Sequence, residues 1–285
     1  MGSIVPMRAV LALALAAIGP AAWSAAITQS LVSPDPICDI FANGYDVTGA
    51  GPCASCFDAT INFGETDVDC GGPYCKTCSA GQQCMTGADC QSGICASNLC
   101  GTLLLISQVR TRGAGGAADE FVEIYNPGIT PVTFDSNWTL AARSSTSSSQ
   151  TLRYAGTGLS IPAHGHLLIG GSAYSGPAAA DAPLTAGITD AGSIVLLYSG
   201  NVIDALCFYF DATTQNAIIG YTCAGTPVSN LPHDNTTSGS SNSDVSLERK
   251  PGGALGNTQN TGDNSADFQN TTPADPHNLS STPVP

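Results

Sequence analysis

The sequence predicts an all-β protein in which a small, loop-dominated disulfide module precedes a sandwich of two antiparallel β-sheets. Two observations support this prediction. Ten of the twelve cysteines lie between Cys38 and Cys100, and the rest of the chain contains only Cys207 and Cys223. From Thr102 onward, short apolar runs alternate with turn residues, and no stretch has a long helical periodicity. We therefore expect a front part held by covalent bonds and a larger part held by an apolar core.

Residues 1–26 have the pattern of a secretory signal peptide. Arg8 supplies the positive charge, an apolar run extends from Ala9 to Ile18, and small residues near Ala25 offer a cleavage site. Because a membrane-spanning helix needs about 20 apolar residues, we expect cleavage and no membrane insertion. The predicted location is extracellular, either secreted or at the cell surface.

The charge balance argues against nucleic acid as a partner. The chain has 22 acidic and 8 basic residues, a formal net charge of −14. Removal of the signal peptide would take away Arg8 and leave a charge of −15, from 22 acids and seven bases. Nucleic-acid binding depends on Lys and Arg contacts to phosphate, which such a surface disfavours.

The rest of the chain is divided into a linker, a module and a domain. Residues 27–52 form the linker, residues 53–101 the cysteine-rich disulfide module, and residues 102–285 the sandwich domain. Within this domain, residues 224–243 are predicted to form a mobile insertion, since Thr236 to Ser243 contains only Ser, Thr, Gly and Asn. The domain ends in a polar C-terminal tail.

The cysteines of the module fit two chemistries. Cys53, Cys56, Cys75 and Cys78 have the spacing of a four-thiolate zinc site. The later cysteines recur every five or six residues, and an exported chain folds in an oxidising compartment, so we favour disulfides. The sequence leaves open how these ten cysteines pair: Cys38, Cys53, Cys56, Cys70, Cys75, Cys78, Cys84, Cys90, Cys95 and Cys100.

Cys207 and Cys223 are the only cysteines of the sandwich domain, and we predict that they pair with each other. A disulfide between them would stabilise the fold by roughly 3 kcal/mol through closure of the intervening loop. Two unlinked thiols are the alternative.

The module also contains a candidate calcium site. Five oxygen-bearing side chains fall within twelve residues of a glycine-containing loop: Asp58, Asn62, Glu65, Asp67 and Asp69. Calcium takes six to eight oxygen ligands from flexible loops, so calcium is the one cofactor that the sequence suggests. The alternative is that these side chains cap turns and solvate the loop.

Eight strands are predicted in the sandwich domain. They cover Leu103–Val109, Asp119–Asn126, Asn137–Arg143, Gln150–Tyr154, His166–Ile169, Ser193–Ser199, Val202–Phe210 and Asp244–Lys250. Gly200-Asn201 predicts a tight hairpin between the sixth and seventh of these strands. In the second, Phe121 and Tyr125 should face one side and Val122 and Ile124 the other, so that both faces find apolar cover.

Candidate catalytic groups are few, and we predict that the protein is not an enzyme. Glu120 and Glu123 point to opposite faces of a strand, so we expect solvated carboxylates rather than an acid–base pair. His164 and His166 would share one side of an extended segment, where two imidazoles can bind a metal. Their Pro-Ala-His-Gly context is typical of a turn, so we expect solvated histidines. Sequence motifs of zinc proteases, serine hydrolases and phosphate loops are lacking.

Two segments resemble known bacterial families. The phrase Glu65-Thr66-Asp67-Val68-Asp69-Cys70-Gly71-Gly72, with the cysteines from Cys56 to Cys100, resembles a cysteine-rich repeat of secreted and surface bacterial proteins. That resemblance implies an extracellular spacer or recognition module without known catalysis.

The sandwich domain resembles the bacterial lamin-tail domain from about Thr102 to Pro276. The matching segments, in that family's order, are Ile106 to Val109, Glu120 to Pro127, Trp138 to Leu140, Ile161 to Gly165, Ser246 to Arg249 and Thr261 to Phe268. This resemblance implies an immunoglobulin-like sandwich of exported bacterial proteins, found alone or appended to hydrolases.

The predicted function is a secreted, non-catalytic binding, adhesion or structural module. Its sandwich would present loops to an extracellular protein or glycan, without a required cofactor. Two alternatives remain open. One is an accessory subunit of an extracellular hydrolase, and the other is a calcium-dependent structural protein of the cell surface.

Overall fold

A computed structural model describes residues 56–79, 81–92, 95–96, 98–101 and 104–285. The predicted signal peptide, the linker, Cys38 and Cys53 lie outside the described residues. Within the described part of the chain, no helix is both long and apolar enough to cross a membrane.

The disulfide module is confirmed, and four disulfides cross-link its described residues. The structure pairs Cys56 with Cys75, Cys70 with Cys78, Cys84 with Cys95, and Cys90 with Cys100. Strand β1 (Cys95–Ala96) pairs antiparallel with β2 (Leu99–Cys100), and one 3₁₀ turn covers Gly87–Asp89. The sulfurs of Cys56, Cys75 and Cys78 are therefore not available as zinc thiolates.

The sandwich domain contains thirteen strands and two short helices among the described residues. The strands are β3 (Leu105–Arg110), β4 (Phe121–Tyr125), β5 (Val132–Phe134), β6 (Trp138–Ser144), β7 (Thr151–Ala155), β8 (Leu159–Ile161), β9 (His166–Gly170), β10 (Ala182–Pro183), β11 (Gly192–Tyr198), β12 (Asn201–Tyr209), β13 (Val228–Ser229), β14 (Ser246–Arg249) and β15 (Phe268–Thr271). The helices are α1 (Ala212–Ala217) and α2 (Asn264–Asp267). All eight predicted strands are present, and the all-β sandwich is confirmed.

Two sheets form the sandwich. The six-stranded sheet has the order β10-β9-β4-β3-β14-β15, and the five-stranded sheet has the order β13-β12-β11-β6-β7. Strands β5 and β8 form a separate antiparallel pair. The expectation of wholly antiparallel sheets is wrong at two edges, because β10 runs parallel to β9 and β13 runs parallel to β12. Both exceptions are two-residue strands that follow long connections.

The main core lies between the sheets. Val122 and Ile124 of β4 belong to the same buried cluster as Leu196 of β11 and Leu206 of β12. The ring of Phe134 stacks on Trp138 at 5.5 Å between centroids and also packs against Tyr154. Trp138 is thus a core residue. Burial of these aliphatic and aromatic side chains is the main stabilising contribution of the domain.

A buried ion pair joins the two sheets inside this core. Arg249 of β14 and Asp204 of β12 are almost completely buried, and Arg249 Nη2 lies 2.6 Å from Asp204 Oδ2. Both also bind the backbone of Ile106: Arg249 Nε donates to its carbonyl oxygen at 2.8 Å, and its amide donates to Asp204 at 2.8 Å. The guanidinium lies 4.5 Å from the ring centroid of Phe268. Charge and backbone polarity are therefore satisfied together.

The six-stranded sheet also has cover on its outer face. Phe121 packs there with Leu168 and with Ala274 of the C-terminal tail, while Val122 and Ile124 face the main core. Tyr125 Oη donates to the carbonyl oxygen of Val284 at 3.0 Å. The prediction that both faces of β4 find apolar cover is confirmed, and the tail provides part of that cover.

The insertion at residues 224–243 is anchored at its base. Cys207 and Cys223 form a disulfide in the structure. Asn230 is buried and donates to Thr111 Oγ1 at 3.0 Å and to the carbonyl oxygen of Asp190 at 2.8 Å. The longest exposed run of the insertion is its tip, residues 235–240. Mobility therefore stays a prediction for this tip, and the buried contacts oppose it for the base of the insertion.

Replacement of Arg249 tests the buried ion pair. We expect Arg249→Met to lower the free energy of unfolding by about 3–5 kcal/mol, because the substitution leaves Asp204 buried without its counter-ion. The double variant Arg249→Met with Asp204→Leu should recover much of this loss. Urea unfolding of the three proteins measures both effects, and a single variant within about 0.5 kcal/mol of the native protein would contradict this assignment.

Candidate functional site

A cleft lies between the disulfide module and one end of the sandwich, and we call it the junction cleft. Its volume is 450 Å³. It is lined mainly by apolar groups, from Gly81 and from Leu99 to Gly101 in the module and, in the sandwich, from residues 128–133 with Asp135, Trp138 and Tyr198. A concave, mostly apolar surface with a few polar groups is the usual form of a binding site.

The loop at residues 128–133 is held rigidly at its start. Asn126 is fully buried, and its Nδ2 donates to the carbonyl oxygens of Thr130 and Pro162, each at 2.9 Å. Its Oδ1 accepts from the amide of Gly128 at 3.0 Å. The buried amide side chain therefore fixes the turn and directs Ile129, which is 85% exposed, toward solvent at the edge of the cleft.

Tyr198 forms another wall of the junction cleft. It ends β11, and its ring packs edge-on against Trp138 with 4.9 Å between centroids. Trp138 is buried in the core, so it supports Tyr198 from behind. The rigid aromatic ring offers contact area with little conformational entropy to lose.

The junction cleft lacks the side chains of a catalytic centre among its described lining residues. Asp135 is its only carboxylate, and that group accepts hydrogen bonds from Asn137, through the amide at 3.0 Å and through Nδ2 at 3.2 Å. Cys100 is in a disulfide. Apolar groups and hydroxyls thus make up most of the described lining of the cleft.

The five candidate calcium ligands do not meet at one centre in the structure. Asp58 accepts from the amide of Thr60, and Asp69 accepts from the amides of Asp58 and Ala59. Asp67 accepts from the amide of Gln83.

Glu65 caps a backbone amide in the same way, since its Oε2 accepts from the amide of Asn62 at 3.1 Å. Each of the four acids is thus used to cap backbone amides. Among the described residues, no three of these acids bring their oxygens within 4.8 Å of one another. Calcium binding stays a prediction.

Glu120 is buried, so the expectation of a solvated carboxylate is wrong. It is 3% exposed, and its Oε2 accepts from the amide of Ile188 at 2.6 Å. Burial raises its pKa to about 7, against the opposing effects of the Ile188 amide and of Arg153. Asp190 adds to the rise. Ile188 belongs to the connection between β9 and β11, and this connection covers Glu120. The sequence pattern of β4 alone does not reveal this cover.

Glu123 is buried as well and belongs to a group that we call the outer cluster: Glu123, His166 and His277. Glu123 and His166 are each 1% exposed. Glu123 Oε1 lies 3.7 Å from His166 Nε2, and Glu123 Oε2 lies 3.7 Å from His277 Nδ1. Glu123 also accepts from Ser107 Oγ at 2.6 Å and from the backbone amide of His277. The C-terminal tail closes over Glu123 and excludes solvent.

His166 is also buried, so the expectation of a solvated histidine is wrong for it. Its ring lies 4.8 Å from that of Tyr125 and 4.9 Å from that of His277, which together cover it. Burial lowers its pKa, against the opposing effects of the Glu123 carboxylate and of the hydrogen bond to Asn257. His164, in contrast, is partly exposed in a turn with φ of 55°. The two histidines therefore do not form a shared site.

One signal for the outer cluster was present in the sequence. Glu123 lies between Phe121 and Tyr125 on one face of β4, so a cover for these rings had to bury the carboxylate as well. The residues that complete the cluster were not deducible from local pattern, since the amide of His277 is 154 positions from Glu123.

Comparison with known proteins gives little further information. No protein-family model matches the chain, and no curated protein matches it. A solved structure that resembles it is a DUF4876 family protein from Bacteroides thetaiotaomicron, with 13% sequence identity and a TM-score of 0.38 over 65% of this chain and 73% of that chain. The resemblances to the lamin-tail domain and to the cysteine-rich repeat stay predictions.

The buried Glu120 predicts a specific pH dependence of stability. Its pKa of about 7 in the folded chain exceeds its ordinary value of 4.5. Between these values the folded chain therefore binds more protons than the unfolded chain, so the contribution of Glu120 is fully present below about pH 4.5 and is lost as the pH rises through about 7. The loss amounts to up to about 3 kcal/mol.

Glu120→Gln isolates this effect, because the amide oxygen still accepts from Ile188 but the side chain does not ionise. Thermal unfolding of both proteins should show similar stability near pH 4.5 and a more stable variant near about pH 8. A stability difference that stays constant over this range would contradict the burial of an ionisable Glu120.

Proposed function

We propose that the protein is a secreted, non-catalytic binding module whose junction cleft binds a segment of an extracellular protein. The observation that supports this proposal is the 450 Å³ cleft at the junction of two rigid bodies, one cross-linked by disulfides and the other closed by a packed core. Rigid walls reduce the entropy lost on binding.

The lining of the cleft favours a protein over a glycan. Ile129 and Leu99 are large exposed apolar residues beside Tyr198, and such groups bury the apolar side chains of a peptide. Polar side chains are few among the described lining residues, and Asp135 is the one carboxylate among them. We therefore infer a partner segment rich in apolar side chains.

Secretion forms part of the proposal. The disulfides of the described residues require an oxidising compartment, and residues 1–26 have the pattern of a signal peptide. The lamin-tail resemblance agrees with this reading, because it implies an exported sandwich that presents loops at its ends.

Substitution of Ile129 tests the proposal. The native protein, with its disulfides intact, is used to select ligands from a displayed library of random peptides and from an array of glycans. We expect selected peptides to be rich in apolar residues, and Ile129→Asp to weaken their binding by roughly tenfold or more, because it places a charge at the cleft edge. Fluorescence anisotropy with labelled peptides measures this change.

Ile219→Asp is the matched control. Ile219 is 77% exposed but does not line the cleft, so this substitution changes surface charge equally and should leave peptide affinity unchanged. Because Ile129 is also exposed, both variants should keep the melting temperature of the native protein. Binding of glycans alone, or equal loss of affinity in both variants, would contradict the proposal.

A further inference from the structure

The outer cluster has the composition of a metal site. A carboxylate and two imidazoles are a common set of zinc ligands in proteins. One ligand atom from each of Glu123, His166 and His277 can be chosen so that all three atoms lie within 4.8 Å of one another. None of these residues lines the junction cleft, so this site is separate from the proposed function.

The distances in the cluster fit a bound zinc ion. Zn²⁺ is held at about 2.0–2.2 Å by nitrogen and oxygen ligands. The two imidazoles face different oxygens of Glu123, His166 Nε2 facing Oε1 and His277 Nδ1 facing Oε2, each at 3.7 Å. Two ligand atoms at this separation reach one ion at these bond lengths with an angle of about 120°. The donor groups therefore stand close to the required spacing before any rearrangement.

Asn257 positions the imidazole of His166. Its Oδ1 lies 3.1 Å from His166 Nε2, and its Nδ2 donates to the carbonyl oxygen of Arg249 at 2.7 Å. The bond to Arg249 turns the amide oxygen toward the imidazole, so Nε2–H donates to Oδ1 in the ion-free chain. A neutral imidazole that binds an ion through Nε2 carries its proton on Nδ1, so zinc binding replaces this hydrogen bond. Three groups, from β4, from the start of β9 and from the tail, therefore supply the protein ligands.

The existing hydrogen bonds leave room for a metal. A carboxylate has about four lone-pair positions, and Glu123 uses two of them, for Ser107 Oγ and for the backbone amide of His277. Those two bonds also fix the orientation of the carboxylate, as the surroundings of metal ligands usually do. The side chain of His277 is 22% exposed, so an ion has a route from solvent.

We propose that Glu123, His166 and His277 bind one Zn²⁺ ion, which clamps the C-terminal tail onto the six-stranded sheet. Imidazole and carboxylate ligands suit this metal. The clamp is structural, because Glu123 and His166 are closed off from solvent and the bound ion would join three segments that are separated in sequence.

Metal analysis of the full-length, disulfide-bonded protein tests the clamp. The protein is stripped with EDTA, dialysed at about pH 8, above the ordinary pKa of histidine, and titrated with zinc chloride by calorimetry. Bound zinc is then measured by mass spectrometry. We expect one zinc ion per chain, a higher melting temperature with zinc than after EDTA, and slower amide exchange across residues 274–285.

The variant His277→Gln provides the decisive comparison. His277 lies in the tail outside both sheets, so the sandwich should still fold, yet zinc affinity should fall by at least about tenfold. His164→Gln is the matched control, since His164 is a nearby histidine outside the cluster, and it should keep native zinc affinity. Absence of stoichiometric zinc in the native protein, or equal zinc affinity in native protein and His277→Gln, would overturn the proposal.

Discussion

Strands β4 and β9 are buried on both faces, and this constraint shapes the rest of the sandwich domain. Antiparallel sheets commonly leave one face to solvent, whereas here Phe121 and Tyr125 require a second cover opposite the main core. The C-terminal tail supplies that cover. Its closure buries Glu123 and His166 as well, so polar groups become satisfied within the protein rather than by water.

The molecule combines two ways of holding a chain together. The module has little apolar surface to bury, and the four disulfides among its described residues restrict the unfolded chain instead. The sandwich domain relies on burial between its sheets and on the ion pair of Arg249 with Asp204. The disulfide module and the sandwich domain, whose stability has different origins, both line the junction cleft.

The local sequence pattern was sufficient to predict the longer strands. It was insufficient to predict the two-residue strands and the contacts between residues that are far apart in sequence. Alternation and turn residues identified eight strands because each extends over at least four residues. Strands β10 and β13 have two residues each, too few to carry a pattern, and they exist because β9 and β12 offer them backbone partners.

The wrong predictions for Glu120 and Glu123 also result from contacts that are distant in sequence. Glu120 and Glu123 were expected to be solvated because alternation indicates which face a side chain occupies, and it does not indicate what covers that face. Their covers come from Ile188 and His277, which follow them by 68 and 154 positions. The rigidity of the cleft loop was also hidden, since it depends on the buried amide of Asn126 and its contact with Pro162.

The central claim is that the tail is an integral layer of the sandwich domain. Hydrogen exchange of the intact, disulfide-bonded chain tests it directly at His277, Leu279 and Val284, whose amides donate to Glu123, Asp181 and the carbonyl oxygen of His164. We expect these amides to exchange much more slowly than those of the exposed tip at residues 235–240. Exchange of the tail amides at the rate of an unstructured peptide would contradict the account.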